Sequence, residues 1–180
     1  MKTAVVVLAD GFEEIEAVTP IDLLRRAGVR VVTAGLSGLT VVGARGMAMV
    51  CNTTLDRVTP EWDALILPGG MPGAKNLAAS SLVKRCLDDT LERGAWVAAI
   101  CAAPAFVLGA QGYLKNCQYT CYPGNEDIVL GGIYRTEAVV VDGLFVTSRG
   151  VGTASAFALK LLELLAPEKA LDVARAVLLA

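Results

Sequence analysis

Residues 96–106 read WVAAICAAPAF, an apolar run followed directly by a helix signal. The first five residues favour a buried strand, and Pro104 is typical of the first turn of a helix, where its missing N–H is not needed. Cys101 therefore falls at a sharp strand-to-helix turn. Ala99 and Ala103 leave this turn uncrowded, as the glycines do in the G-x-S-x-G elbow that displays a nucleophile in α/β proteins.

The predicted turn bears on the reactivity of the Cys101 thiol. Unpaired backbone N–H groups and the positive end of a helix dipole stabilise a thiolate, so we expect a lowered pKa and a reactive thiol at Cys101. The alternative is that Cys101 is a small buried hydrophobe, as most free cysteines are. The remaining cysteines lack this context; they are Cys51, Cys86, Cys117 and Cys121.

Short β-branched runs alternate with helical patterns along the chain. Predicted strands cover residues 3–8, 29–34, 47–51, 64–67 and 96–100, with a short strand near 119 and an Asp142-Gly143 hairpin between 138–141 and 144–147. Predicted helices cover about 13–27, 81–93, the segment from the Cys101 turn to 110, 153–165, and the segment from 167 onward. This alternation predicts right-handed crossovers and an α/β fold with a mostly parallel sheet and helices on both faces.

The composition narrows the class of protein. With 180 residues, 54% of them hydrophobic and 19% charged, and with no linker or repeat, residues 1–180 are expected to form one domain. A net charge of −2 without a basic cluster argues against nucleic acid and anionic membranes as partners. No apolar stretch approaches the roughly 18 residues of a membrane span. Five cysteines without a C-x-x-C pair fit reduced thiols, so we expect a cytoplasmic protein without disulfides or a zinc site.

The chain contains no histidine. A Cys-His dyad, a Ser-His-Asp triad and a His-ligated metal are therefore excluded, and any general base must be a carboxylate or a tyrosine. Glu16 is the first candidate, because at helical spacing it shares a stripe with Phe12, Thr19 and Leu23, where an apolar residue is expected. Pro20 cannot donate to the Glu16 carbonyl, so we expect a kink or an opened turn beside that glutamate.

A buried carboxyl beside a thiolate should have a raised pKa because of desolvation and like charge. Glu16 would then stay protonated and donate to the sulfur, so that the pair holds one proton and one negative charge. The alternative is that Glu16 is a helix-start residue that reaches into water. Glu13 and Glu14 suit the helix start and are expected to be structural or solvated.

Three loops follow the carboxyl ends of predicted strands, where open α/β sheets form their ligand sites. They are residues 10–12, residues 69–73 and the Cys101 turn. The glycine-rich loop exposes backbone N–H groups, so the N–H groups of Gly70 and Ala102 are candidates for an oxyanion hole. Phosphate binding is an alternative for this loop, but neither G-x-G-x-x-G nor a P-loop lysine is present.

For three arginines, the surrounding sequence does not indicate a single role. Arg149 precedes a predicted helix in a glycine-rich turn, and it either orients an anionic group or anchors its loop. Arg26 and Arg45 lie outside the three loops and are expected to be solvated.

Four segments together resemble the ThiJ/PfpI superfamily, closest to the branch that holds the parkinsonism-associated protein deglycase and its bacterial relatives. They are GFEEIE at 11–16, LPGG at 67–70, AAICAAP at 98–104 and TSRGVGT at 147–153, within a match from about residue 2 to 178. The resemblance implies a flavodoxin-like three-layer sandwich, a homodimer, a Cys101 nucleophile that oxidises readily to a sulfinate, and Glu16 as its hydrogen-bonding partner. Further candidates for the pocket are Gly69, Tyr122, Arg149 and Gly150.

The resemblance also implies a glyoxalase or deglycase that acts on methylglyoxal, glyoxal or glycated substrates with no metal and no cofactor. A redox sensor or protein-protective chaperone that works through oxidation of Cys101 is the alternative. A third hypothesis is a stable α/β dimer in which the thiol has no function. Tyr122 stands where the human relative has a histidine, and tyrosine is a poor base near pH 7. Protease and amidotransferase branches use a Cys-His pair, so the lack of histidine argues against both activities.

Overall fold

The computed structural model describes residues 1–59 and 61–180. The strands in this part of the chain are β1 Thr3–Leu8, β2 Arg30–Gly35, β3 Thr40–Val42, β4 Ala48–Val50, β5 Thr53–Thr54, β6 Ala64–Leu67, β7 Trp96–Ile100, β8 Gln118–Tyr119, β9 Ile133–Tyr134, β10 Val139–Asp142 and β11 Phe145–Ser148. The α-helices are α1 Glu14–Arg26, α2 Gly73–Ala78, α3 Ser81–Glu92, α4 Ala154–Leu165 and α5 Pro167–Ala176. A π-helix covers Pro104–Gly109, and 3-10 turns cover Leu55–Arg57, Glu126–Ile128 and Val151–Thr153.

Seven of the described strands form one sheet with the order β10-β11-β7-β6-β1-β2-β5. Neighbouring strands run parallel from β11 to β5, and only β10 is antiparallel to its neighbour. The β10–β11 pair is the hairpin that Asp142-Gly143 predicts. The predicted α/β fold with a mostly parallel sheet is therefore confirmed.

Apolar helix faces cover both sides of this sheet. Alternate residues of β1 point to opposite sides: Val6 packs with α1, α4 and α5, whereas Val5 and Val7 pack with α2, α3 and the π-helix. Phe157 and Leu161 are fully buried on the first side, and Leu87 is fully buried on the second. Burial on both faces explains why the central strands are almost continuously apolar.

Several local predictions are corrected by the structure. The turn after Cys101 leads into a short π-helix rather than an α-helix. α1 extends from Glu14 to Arg26 with Pro20 inside it, and a kink or opened turn beside Glu16 stays a prediction. The short elements α2, β3, β5 and β9 were not predicted, since two to six residues carry too little periodicity.

The carboxyl ends of β1, β6, β7 and β11 lie along the same edge of the sheet, because these strands are parallel neighbours. Their loops are joined there by backbone hydrogen bonds, including Glu13 N–H to Gly69 O at 3.0 Å and Cys101 N–H to Ser148 O at 3.0 Å. This edge brings the predicted site residues together. None of the helices in residues 1–59 and 61–180 has the length and apolar composition needed to cross a membrane.

Candidate active site

Cys101 occupies a strained turn at the end of β7. Its φ of 65° lies in the left-handed region, which costs a non-glycine residue roughly 1–2 kcal/mol. Its N–H donates to Ser148 O, and its carbonyl accepts from the Tyr122 N–H at 2.8 Å, so both neighbouring segments hold the turn. The thiol is partly exposed, as the predicted elbow requires.

Glu16 approaches Cys101 from α1 and is completely buried, at 0% exposure. Its Oε2 accepts a hydrogen bond from the Gly69 N–H at 3.0 Å. Its Oε1 is buried and has no partner that meets full hydrogen-bond geometry. A Cβ atom placed on Gly150 would lie 3.8 Å from both Glu16 Oε1 and Cys101 Sγ, so the carboxyl oxygen and the sulfur face the same open space.

Gly69 allows this close approach of carboxyl and thiol. A Cβ atom at residue 69 would lie 2.6 Å from Cys101 Cβ and 2.7 Å from Glu16 Oε2. No side chain fits between these atoms, so the predicted glycine-rich loop is required here by packing. Gly69, a predicted pocket residue, contacts both groups but does not itself line the cleft described below.

The backbone N–H groups of Gly70 and Ala102 lie close enough to the Cys101 sulfur to lower the pKa of its thiol in part. Gly70 has a φ of 89°, and a Cβ there would meet Gly11 O at 2.4 Å, so only glycine fits this conformation and contact. The two predicted oxyanion donors therefore meet at the sulfur, beside any carbon that it would attack.

Burial raises the pKa of the Glu16 carboxyl from its ordinary value of 4.5 to about 7. The Cys101 thiol and the Gly69 N–H lower this pKa in part, and the charge of Glu13 raises it further. Glu16 is thus poised to gain or lose a proton near neutral pH. The direction of this shift agrees with the sequence-based expectation.

The expected lowering of the Cys101 pKa is wrong. Burial first, and then the charge of Glu16 and its hydrogen bond, raise the pKa of the thiol from 9.0 to about 12. The N–H groups of Gly70 and Ala102 act in the opposite direction but are outweighed. The two N–H groups therefore do not offset burial and the neighbouring carboxyl group.

A cleft of about 770 Å³ opens over the sulfur. Seven of the sequence-predicted residues line it: Glu16, Gly70, Cys101, Ala102, Tyr122, Arg149 and Gly150. Tyr122 is 54% exposed, and its ring lies 3.5 Å from the position of a Cβ on Gly150. The Arg149 Nη1 donates to Thr136 O at 3.2 Å.

Glu13 and Arg45 also line the cleft. Arg45 is solvated, as expected, with 77% of its side chain exposed. Glu13 is only 8% exposed, and its Oε2 lies 4.0 Å from Arg45 Nε. The backbone N–H of Arg45 donates to Glu14 Oε1 at 2.7 Å, which attaches the loop between β3 and β4 to α1. The spacing of Glu13 and Glu16 at i and i+3 is a signal that they share a helix face. No sequence signal places Arg45 there.

In residues 1–59 and 61–180, no three His, Cys, Asp or Glu side chains are grouped so that they could hold a metal ion. The polar groups that line the cleft include a thiol, carboxyl groups, backbone N–H groups, arginines and a tyrosine.

Residues 2–164 match the DJ-1/PfpI family. The chain belongs to the DJ-1/PfpI family. Over 168 residues this DJ-1/PfpI protein is 40% identical to Parkinson disease protein 7 homolog of Danio rerio, covering 90% of this chain and 88% of the relative. It is 36% identical over 173 residues to the glutathione-independent glyoxalase DJR-1.2 of Caenorhabditis elegans, covering 93% of this chain and 91% of the relative.

Its structure is similar to the crystal structure of Drosophila melanogaster DJ-1beta, with a TM-score of 0.95 and 41% identity, covering 99% and 98% of the two chains. These matches confirm the family and the flavodoxin-like fold expected from the four sequence segments.

Proposed function

We propose that this DJ-1/PfpI protein converts small 2-oxoaldehydes such as methylglyoxal into 2-hydroxy acids, with Cys101 as nucleophile and Glu16 as general acid and base. One observation carries the proposal: Glu16 Oε1, which has no partner of full hydrogen-bond geometry, faces the same space as Cys101 Sγ. The name of the Caenorhabditis elegans relative, a glutathione-independent glyoxalase, supports this class of reaction.

In the first step, the Glu16 carboxylate accepts the thiol proton while the sulfur attacks the aldehyde carbon. A carboxyl group with a pKa of about 7 is well matched to this transfer at neutral pH. The new C–S bond forms as the C=O electron pair moves onto oxygen, where the N–H groups of Gly70 and Ala102 stabilise the charge. Return of the proton to this oxygen gives a hemithioacetal.

In the second step, Glu16 removes the hydrogen on the former aldehyde carbon as a proton and returns it to the neighbouring carbonyl carbon. This transfer passes through an enediol. The hydroxyl proton of the hemithioacetal moves to the oxygen of the neighbouring carbonyl, which leaves a thioester of the 2-hydroxy acid on Cys101. Water then hydrolyses the thioester, restoring the thiol and releasing the acid. Methylglyoxal and one water supply all the atoms of lactic acid, so the reaction needs no external oxidant or reductant.

The same thiol is suited to adducts of 2-oxoaldehydes with amino or thiol groups. Attack by Cys101 at the adduct carbon displaces the amine or thiol and forms the same hemithioacetal. Glycated molecules are therefore included in the proposed substrate class.

The proposal is tested by following methylglyoxal loss together with lactate formation. We expect Cys101→Ser to abolish turnover and Glu16→Gln to lower kcat/KM by about 10²–10⁴-fold, the range for loss of a general acid or base. Cys117→Ser is the matched control, because Cys117 is also a partly exposed thiol but does not line the cleft. Lactate formation by Cys101→Ser at the wild-type rate would contradict the assignment.

A second candidate function is redox sensing through Cys101. The protonated Glu16 carboxyl beside the sulfur can donate a hydrogen bond to an oxidised sulfur, and the N–H groups of Gly70 and Ala102 can bind its oxygens. The geometry therefore also favours a sulfinate at this position.

Mild peroxide treatment followed by mass spectrometry tests this second function. We expect a gain of two oxygens confined to Cys101, with Glu16→Gln giving less of this product. Equal oxidation of Cys101 and the partly exposed Cys117 would reject a sensor built on this site.

A further inference from the structure

Arg149 lies beside the groups that would react. β11 and β7 are parallel neighbours with Ser148 paired to Ile100, so Arg149 and Cys101 follow their strands side by side. The next residue, Gly150, faces both Cys101 Sγ and Glu16 Oε1. Arg149 also lines the cleft that opens over the sulfur.

The positive charge of Arg149 has no counter-ion in the part of the chain that the structure describes. No carboxylate there lies within 4.0 Å of it. Its side-chain hydrogen bond goes to a neutral acceptor, Thr136 O, and its Nε is buried without a partner. Partly buried charges are ordinarily paired, so this arginine is able to bind an anion.

Arg45, the other arginine of the cleft, differs from Arg149 in its exposure and in its charge pairing. Its side chain is 77% exposed, and its Nε lies 4.0 Å from the Glu13 carboxylate. Solvent and a neighbouring negative charge therefore already satisfy Arg45, which leaves Arg149 as the stronger anion-binding group.

The size of the cleft allows a substrate larger than methylglyoxal. Methylglyoxal has five non-hydrogen atoms, whereas the cleft has a volume of about 770 Å³ and a water molecule takes only about 30 Å³ in the liquid. A longer 2-oxoaldehyde therefore has room to extend away from Cys101 along the cleft.

We propose that Arg149 forms an anion-binding subsite, and that the preferred substrates are 2-oxoaldehydes that carry a carboxylate or phosphate group at the end remote from the aldehyde. The preference for 2-oxoaldehydes rests on the function proposed above. Binding of an anion by Arg149 does not, and it can be measured without turnover.

Two five-carbon aldehydes that differ in charge test the preference. We expect wild-type kcat/KM for 4,5-dioxopentanoate to exceed that for neutral 2-oxopentanal by about tenfold or more, the gain typical of a hydrogen bond to a charged group. Arg149→Gln should remove the preference, and Arg149→Lys should keep part of it because the charge remains. Arg45→Gln is the comparison variant and should keep more of the preference than Arg149→Gln does.

Equal kcat/KM values for the two aldehydes in the wild type would overturn the proposal, as would an equal loss of preference in Arg45→Gln. If the wild type converts neither aldehyde, the proposed function fails, and the anion subsite is judged by a measurement that needs no turnover.

That measurement is the rate of Cys101 alkylation by neutral iodoacetamide, followed by peptide mass spectrometry with Cys117 as the internal control. Glutarate or inorganic phosphate should slow alkylation of Cys101 in the wild type but not in Arg149→Gln, while neutral glutaramide and sodium chloride at equal ionic strength should not protect. Stronger protection by glutarate supports a carboxylate ligand, and stronger protection by phosphate supports a phosphate ligand. No protection by either anion would overturn the subsite.

Discussion

Glu16 is a carboxylic acid that is entirely buried and is held by one backbone N–H, from Gly69. Burial opposes its ionisation, and the nearby thiol of Cys101 faces the same penalty, so the pKa values of both groups are raised. A proton can pass between the two neighbouring side chains. This residue pair is the basis of the proposed nucleophile and acid–base roles.

The raised pKa of Glu16 makes stability depend on pH. Between pH 4.5 and about 7 the folded carboxyl keeps a proton that the unfolded one loses, so the free energy of unfolding should fall as pH rises through this window. The full loss is about 3 kcal/mol, at about 1.4 kcal/mol for each unit of pKa difference.

Urea unfolding of wild type and Glu16→Gln at pH 5 and pH 8 measures this loss. Glutamine can still accept from the Gly69 N–H but does not titrate. The stability of Glu16→Gln relative to wild type should therefore be greater at pH 8 than at pH 5. If the free energies of unfolding of the two proteins change equally with pH, the pKa of Glu16 is not raised in the folded state.

The loop between β6 and α2 is the element that brings α1 and the Cys101 turn together. Gly69 packs directly against Cys101 and Glu16, and Gly70 adopts a positive φ against the backbone of residues 11–13. The loop thus serves as both a spacer and a hydrogen-bond donor. Gly69 and Gly70 allow this close approach because they have no side chains.

Gly69→Ala tests the spacing role. The added Cβ would lie 2.6 Å from Cys101 Cβ, so the thiol and carboxyl must move apart. We expect a stability loss of about 1–3 kcal/mol from overpacking, and at least about a 10²-fold loss of lactate formation, the cost of a displacement near 1 Å.

Gly38→Ala is the control for this substitution, because a Cβ there meets nothing within 4 Å and its φ is not positive. It should leave both the stability and the lactate assay near wild type. Wild-type turnover by Gly69→Ala would contradict the need for close contact.

At the scale of the whole molecule, the order of the parallel strands assembles the site. β1, β6, β7 and β11 are adjacent in the sheet but widely separated in the sequence, and their carboxyl ends share one edge. Helices on both faces bury the strands and hold this edge in place. The cleft therefore depends on long-range packing, although each loop that lines it is short.

The sequence by itself determined the α/β class, most long elements, the Cys101 turn and the burial of Glu16. These features follow from local periodicity, from Asp-Gly and Pro signals, and from a carboxyl group placed on an apolar helix stripe. Four collinear segments also sufficed for the family.

Only the tertiary structure decided the direction of the Cys101 pKa shift and the membership of Glu13 and Arg45 in the cleft. Desolvation and charge depend on which distant segments pack around a group, and no spacing along the chain encodes this. The same reason applies to Arg149: the sequence leaves both anion binding and loop anchoring open, whereas its missing counter-ion is visible only in the folded chain.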